Sequence, residues 1–419
     1  MIGRFALFPL ACLLLASCAR EQPAIDPQLA AGIAGIKAID NHAHPPLVAP
    51  GDREFDALPV DSMEAQSDPL ALRPDSPASK AAHRALFGSL SKAETLKQKG
   101  DAYPAWVLDE AGIDVMLANR VAMGTSVQPP RFRWVPYIDA LIFPLDNSGL
   151  AARNSDRKSF FALEDKLRAR YWNGAALPPT LAGYTSAIVT PLLENHKKGG
   201  ALAEKFEAAY LRDLSFDAVD AAQAERVYRQ YAGKSAPPDA DYKLLQDYLF
   251  RFVAAECGRL GMAVHIHTMA GAGGYFNVAG ANPLNLESLF DDPALRKTKF
   301  VMVHGGWPFV REIGALLTKP NAYLDISGQT LMLPPSTVAA SLREWLALVP
   351  EKVLFATDAY PYSEQMGWEE SLWVASRNGR EALGRALTGM MRDGEITHQR
   401  AVELAKMVLR DNARTLYGI

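Results

Sequence analysis

An α/β fold of the (β/α)8 TIM-barrel kind, with a long insertion after strand one, is what this sequence predicts. Two observations carry that expectation. Short apolar runs without polar–apolar alternation, the pattern of strands buried on both faces, recur along the chain with helical stretches between them. Four of these runs close on a His or Asp: His42 and His44 in KAIDNHAHP, His267 in MAVHIHT, His304 in KFVMVHGG and Asp358 in KVLFATDA. In a closed barrel the C-terminal strand ends meet on one face, where active sites of this architecture are built.

Taken in order, IAGIKAIDNHAHP reads as strand one. Residues 45–105 then lose strand character and fill with Pro, Asp, Ser and Ala, with one helical stretch near HRALFGSLSKAETLKQKG. An irregular connection this long is commonly functional or mobile, and the reading is a partial lid over the strand ends. A helix around YPAWVLDEAG leads to strand two, IDVMLAN, and strand three, RFRWVPYID. A helix-rich stretch follows and closes at the Gly pair of LLENHKKGG. Strand four is ALAEKFEAA, followed by helices in FDAVDAAQAERVYRQYAG and DYKLLQDYLFRFVAAECGRLG. MAVHIHT, KFVMVHGG, NAYLDIS and KVLFATDA supply strands five to eight. The tail, ITHQRAVELAKMVLRDNARTLYGI, reads as an amphipathic helix packed outside the barrel.

With 49% hydrophobic and 22% charged residues, the 419-residue chain has enough apolar material for one large barrel with insertions. Lys plus Arg number 44 against 47 Asp plus Glu, and with no basic stripe this balance argues against a nucleic-acid partner. The N-terminus differs from the rest: Arg4 precedes the apolar run FALFPLACLLLA and the small residues Ala16-Ser17 before Cys18. The run is shorter than the roughly 20 residues a membrane span needs. Residues 1–17 therefore read as a lipoprotein signal peptide, Cys18 as the lipidated residue, and 18–35 as a tether to a barrel domain over 36–419. In this respect the chain resembles bacterial lipoproteins. Ala19 after the cysteine then implies the periplasmic side of the outer membrane. Cys12 leaves with the signal, so Cys257, inside an apolar helix, is expected to be a buried structural thiol.

His42 and His44 lie two apart on an extended segment, so both side chains face one way and can grip a single ion. His267 is read as a further ligand because ligands come from strand tops. His265, two residues deeper, is read as a hydrogen-bonding residue, with ligation as its alternative. A carboxylate after VLFAT must be paired, hydrogen-bonded or metal-bound, and Asp358 is assigned as both ligand and proton acceptor. Asp40 and Asp325 are read as supporting residues. Lys205 shares a strand face with Glu207 and is open to holding a second metal, binding a substrate carboxylate, or pairing with Glu207. Arg120, Arg212, Trp307 and Tyr362, near strand tops, are candidates to orient a substrate. GAGGYFNVAG reads as a flexible loop by the site, since no Walker Lys-Ser/Thr follows it. His83, His196 and His398 read as solvated.

IDNHAHP, KFEAAYLRDLSF, HIHT with the later ANPL, FVMVHGGWPFVRE, AYLDIS, FATDA and NARTLYGI, in that order, resemble the amidohydrolase superfamily, in its amidohydrolase-related branch. The resemblance runs from about Ile36 to the C-terminus. It implies metal ligands at His42, His44, His267 and Asp358, with His304 polarising substrate or assisting proton transfer. Two positions depart from the pattern: His265 stands where relatives often carry Gln, and Leu211 replaces an expected Arg, with Arg212 one place on. The function expected is hydrolysis of an amide, lactone or ester bond in a small organic acid by water activated on one divalent ion, with zinc the expected metal. Non-oxidative decarboxylation of an aromatic or unsaturated acid is the alternative within the branch, and a non-catalytic envelope binding protein the alternative outside it.

Overall fold

The computed structural model describes residues 25–49, 51–52, 54–56, 69–73, 75–154, 157–271 and 273–419. The signal peptide, Cys18 and residues 19–24 of the tether lie outside the described residues, as does the middle of the 45–105 insertion; the rest of the tether includes a helix, Pro27–Gly35, with Leu29 and Ile33 buried. Among the described residues eight parallel strands carry the fold: β1 Ala38–Ala43, β2 Ile113–Asn119, β3 Phe132–Val135, β4 Ala203–Phe206, β5 Ala263–His267, β6 Phe300–Val303, β7 Ala322–Asp325 and β8 Val353–Leu354. Regular ladders join β1 through β3 and β4 through β8. The two seams close by backbone hydrogen bonds. Lys205 N reaches Pro136 O at 2.8 Å, and Ile138 N reaches Lys205 O at 3.1 Å. At the other seam, Asn41 N reaches Phe355 O at 3.0 Å and Asp358 N reaches His42 O at 2.8 Å. The chain is a TIM barrel, as its periodicity predicts. Strand three stops early because Pro136 lacks the N–H a ladder needs.

Inward-facing Ile39, Leu117, Val135, Ala263, Val301 and Leu354 form the lower barrel core. Outward-facing residues such as Met116, Phe206, Val264 and Leu324 join the larger core under the helices. Asp239–Leu260 and Trp368–Arg392 are the longest helices, and the first ends on Gly261 in the left-handed conformation, φ 66°. Among the described residues no helix is long and apolar enough to cross a membrane. Cys257 is buried.

The tail corrects the sequence reading. It is not a single helix lying outside: His398–Lys406 runs through a π turn, Met407–Asp411, into Asn412–Tyr417. There Ala413, Leu416, Tyr417 and Ile419 pack against the inward residues of the strands and form the barrel floor. His196 is a second correction. It is buried, and its Nδ1 meets Glu204 Oε1 at 3.0 Å, because Glu204 faces outward from β4 and its charge needs a partner there.

The insertion is tied down at both ends of its described length. Helices Pro77–Phe87 and Lys92–Lys99, capped by Ser76 and by a Ser91–Glu94 capping box, lie beside the Trp368–Arg392 helix. Lys92 Nζ reaches Glu370 Oε2 at 2.5 Å and His83 Nδ1 reaches Glu370 Oε1 at 3.1 Å. At the start of the insertion, the fully buried Arg120 grips Asp52 with two bonds of 2.9 and 3.1 Å and donates to the Pro45 and Ala122 carbonyls. Removing one partner of such a buried pair strands the other charge. Arg120→Ala is therefore expected to cost about 3 kcal/mol in urea unfolding, with Arg120→Ala/Asp52→Asn recovering part of it. A loss below about 1 kcal/mol would mean the pair does not anchor the insertion.

Candidate metal centre

Strand β1 is irregular between Asp40 and Ala43, and this slip lets His42 enter the barrel mouth although Asn41 also faces inward. Asp40 holds the slip in place. Its carboxylate accepts from Thr357 N at 3.0 Å, from Thr357 Oγ1 and from His42 N at 3.3 Å, tying β1 to the segment after β8. On the opposite side, His304 and Asp358 adopt left-handed backbone conformations, φ 71° and 62°. Non-glycine residues rarely do so, and the cost is tolerated where surrounding bonds fix them. His304 N donates to Asp325 Oδ1 at 3.0 Å and His304 O accepts from Gln329 Nε2 at 2.8 Å.

The result is a close group of ligand-type atoms. Asp358 Oδ1 lies 3.2 Å from both His42 Nε2 and His44 Nε2, and those two nitrogens are 3.3 Å apart. His304 Nδ1 is 3.8 Å from Asp358 Oδ2, and His42, His304 and Asp358 offer ligand atoms all within 4.8 Å of one another. Three acceptor-type atoms from two separate elements in such contact repel unless a proton or a cation is shared among them. The donor set of imidazole nitrogens and one carboxylate oxygen suits Zn²⁺ or a similar divalent ion.

Partners behind the ring nitrogens set which atom faces the group. His44 Nδ1 is 2.8 Å from Tyr137 Oη and 3.2 Å from Phe55 O, so it carries hydrogen and Nε2 is free. His42 Nδ1 lies 2.7 Å from Asn119 Nδ2, while Asn119 Oδ1 is buried without a partner; with the amide turned over, Oδ1 would accept from an Nδ1–H and leave Nε2 unprotonated. His267 Nε2 donates to Met269 O at 2.8 Å, which leaves Nδ1 unprotonated, and its ring stands 4.6 Å from that of His304. Burial first, then the nearby Lys205 charge, holds His42 well below the ordinary imidazole range. Burial likewise takes His304 down to about 3. Burial opposes the charge of Asp358, but contacts with His304, His42 and His44 outweigh it and keep the carboxylate ionised. Neutral imidazoles around an ionised carboxylate are the protonation states ligation needs.

A narrow cleft opens onto this group, lined also by Asp56, Lys205, Glu207, Tyr210, Tyr360 and Tyr362. The structure thus gathers His42, His44, His267, His304, Asp358, Lys205 and Tyr362 at one mouth. Lys205 Nζ lies 3.5 Å from His42 Nε2, while Glu207 Oε2 has no hydrogen-bond partner, so the Lys205–Glu207 pair considered above does not form. Burial pushes the Glu207 carboxyl up to about 8, against the lowering effect of the Lys205 charge. His265 is fully buried beneath the site with its Nε2 2.7 Å from Tyr417 Oη.

Two arginines are corrections. Arg120 is consumed by Asp52, and Arg212 by Asp247 at 2.6 Å and Gln246 at 2.9 Å, so neither faces the cleft. A strand-top position gives a side chain proximity but not direction, and each found a nearer carboxylate. Trp307 is half-buried and is not among the lining residues; its carbonyl accepts from Ala270 N at 2.8 Å. The sequence reading missed Asn119, Tyr137, Tyr210 and Tyr360. Tyr137 was legible in principle, two residues beyond the inward Val135 and so on the same face.

Gly328 completes the mouth. At φ 66°, an added Cβ would meet Met269 Sδ at 3.0 Å, His304 Nδ1 at 3.1 Å and Asp358 Oδ2 at 3.4 Å. Gly328→Ala is expected to lose about 1–2 kcal/mol of stability from the backbone alone. By displacing His304 it is also expected to weaken Zn²⁺ binding at least about tenfold in chelator competition. Unchanged Zn²⁺ affinity in a folded variant would show that this packing does not shape the centre.

Residues 203–419, just over half of the chain, match the family described as amidohydrolase. Protein fluG of Emericella nidulans is 28% identical over 222 residues, which are 50% of this chain and 25% of that protein, so the chain spans about a quarter of that relative's length. Among solved structures, a protein of Lactobacillus casei ATCC 334 described as a candidate metal-dependent hydrolase superposes with a TM-score of 0.66 at 16% identity, covering 94% of this chain and 98% of the other. A uronate isomerase of Thermotoga maritima gives 0.59 at 13% identity, with 93% and 96% covered. At these identities the structural likeness speaks to the barrel alone. The family match and the ordered barrel together place the chain in the amidohydrolase family.

Proposed function

We propose that this chain is a metal-dependent hydrolase that cleaves an amide, lactone or ester bond of a small organic acid. The observation that carries the proposal is the contact of Asp358 Oδ1 with two imidazole nitrogens at 3.2 Å in a buried cleft. His42 and His44 through Nε2, His267 through Nδ1 and Asp358 would hold one divalent ion, zinc by preference, with His304 beside them. Such an ion, when bound, supplies Lewis acidity that lowers the pKa of water towards about 7 and polarises a carbonyl.

The chain's own groups account for the remaining chemistry. Asp358, ionised and inside the cleft, accepts a proton from the attacking water and returns it to the leaving group. His304, neutral and with Nδ1 engaged by Ser327 at 2.8 Å, stands beside Asp358 to polarise the substrate or assist proton transfer. Lys205 places a cationic donor at the floor of the cleft, suited to a substrate carboxylate or a developing oxyanion. Tyr210, Tyr360 and Tyr362 wall the cleft and limit it to a small substrate. We propose in addition, from the sequence of residues 1–18, that Cys18 is acylated and anchors the enzyme in the cell envelope.

Purified without chelator, the chain lacking residues 1–18 is expected to carry about one equivalent of metal by elemental analysis, lost in His42→Ala/His44→Ala. With amide, lactone and aromatic-acid panels, release of amine or acid is expected, falling about 10²–10⁴-fold in Asp358→Asn. Release of CO₂ without hydrolysis would replace the hydrolase reading with a decarboxylase. No metal after reconstitution with Zn²⁺ or Mn²⁺ would remove both.

A further inference from the structure

Between the metal centre and the apolar lower core, a polar column crosses the barrel interior, where barrels of this kind are usually filled by branched apolar side chains. Asn41 on β1, His265 on β5 and Asp325 on β7 are all fully buried, and Tyr417 rises between them from the last helix. The Tyr417 hydroxyl bonds to Asn41 Oδ1 and lies 2.7 Å from His265 Nε2. Asn41 Nδ2 donates to Asp325 Oδ2 at 2.7 Å. The other Asp325 oxygen accepts from Ser327 Oγ, and from Ser327 N and His304 N at 3.0 Å each. Ser327 Oγ is in turn 2.8 Å from His304 Nδ1.

The hydrogens in this column follow by elimination. Asp325, facing four donors, acts as acceptor. Asn41 therefore points its NH₂ at Asp325 and its carbonyl at Tyr417, which makes the Tyr417 O–H the donor. The Tyr417 oxygen can then only accept from His265, so His265 Nε2 carries hydrogen. This agrees with His265 Nδ1 being buried without a partner. At the upper end, Ser327 spends its hydrogen on Asp325, so His304 Nδ1 carries the hydrogen and Nε2 bears the lone pair.

We propose that Tyr417 is a positioning residue for the metal centre: its hydroxyl orients the Asn41–Asp325–Ser327 chain that holds His304 as the Nδ1–H tautomer beside Asp358. Without the hydroxyl, Asn41 Oδ1 loses its donor in a fully buried place, and nothing prevents the amide from turning its oxygen onto Asp325. The end of the chain thus belongs to the site as well as to the floor. The consequence for metal binding rests on the proposed metal centre, but the tautomer does not.

The test is Tyr417→Phe, which keeps the ring, compared with Leu416→Ala, which removes packing from the same helix without touching the polar column. In the metal-free proteins, ¹⁵N NMR of His304 is expected to show one Nδ1–H tautomer in the parent and in Leu416→Ala, and a mixture in Tyr417→Phe. Zn²⁺ affinity by chelator competition is expected to fall about tenfold in Tyr417→Phe and to stay within about twofold in Leu416→Ala, with a shifted Co²⁺ absorption band only in the former. Adding Ser327→Ala to Tyr417→Phe should weaken Zn²⁺ less than the two separate losses predict, since both act on one chain. An unaltered tautomer and affinity in Tyr417→Phe would overturn the proposal, as would an equal Zn²⁺ loss in Leu416→Ala or full additivity with Ser327→Ala. If the parent binds no Zn²⁺, the metal reading falls, and the His304 tautomer still decides the role of Tyr417.

Discussion

Asp358 Oδ1, His42 Nε2 and His44 Nε2 sit within 3.3 Å of one another in a buried barrel mouth, and the surrounding structure is arranged to keep them there. Left alone, acceptor atoms at this spacing separate. They are kept together by the irregular register of β1, by the Asp40–Thr357 bonds that clamp it, and by the left-handed backbone at Asp358. Each feature costs stability locally and is held by the packed barrel around it. A proton or a cation shared among these acceptor atoms offsets that cost, and the donor set of imidazoles and a carboxylate favours reading the group as a cation site.

The same reasoning extends below the mouth. Burying Asn41, His265, Asp325 and Tyr417 in the centre of a barrel is costly unless nearly every polar atom finds a partner, and among their side-chain atoms His265 Nδ1, an acceptor, is left over. The column therefore has one consistent arrangement of hydrogens rather than several. It connects the floor, built from the last residues of the chain, to the imidazole of His304 some four bonds away. The fold uses residues 412–419 as a plug that is apolar at Leu416 and Ile419 and polar at Tyr417.

Much of this was legible in the sequence. Apolar runs with terminal His or Asp identify the strands and their C-terminal ends, because an inward position at a strand top is among the few places where a buried imidazole or carboxylate is useful. Inward-facing Lys205 and Glu207 follow from strand parity. What the sequence could not convey was direction and partner choice. Arg120 and Arg212 stand near strand tops as expected, yet Asp52 and Asp247 capture them, and nothing in one-dimensional spacing reports that Asp52 folds back 68 residues. His196 looked solvated among lysines, but Glu204 draws it inward. The terminal helix has the pattern of a surface helix until Asn412, and only its last turns enter the barrel. Asn119 and Tyr137 carry no motif; they matter because of what stands opposite them.

The central claim is that the mouth of this barrel binds one divalent cation between named atoms. Its most direct test is a crystal structure of the metal-loaded protein with anomalous diffraction collected on both sides of the zinc absorption edge. The account predicts a single zinc peak about 2.0–2.2 Å from His42 Nε2, His44 Nε2 and Asp358, with His267 Nδ1 completing a tetrahedral set. A peak bound elsewhere, or none at this mouth with the protein saturated, would contradict it.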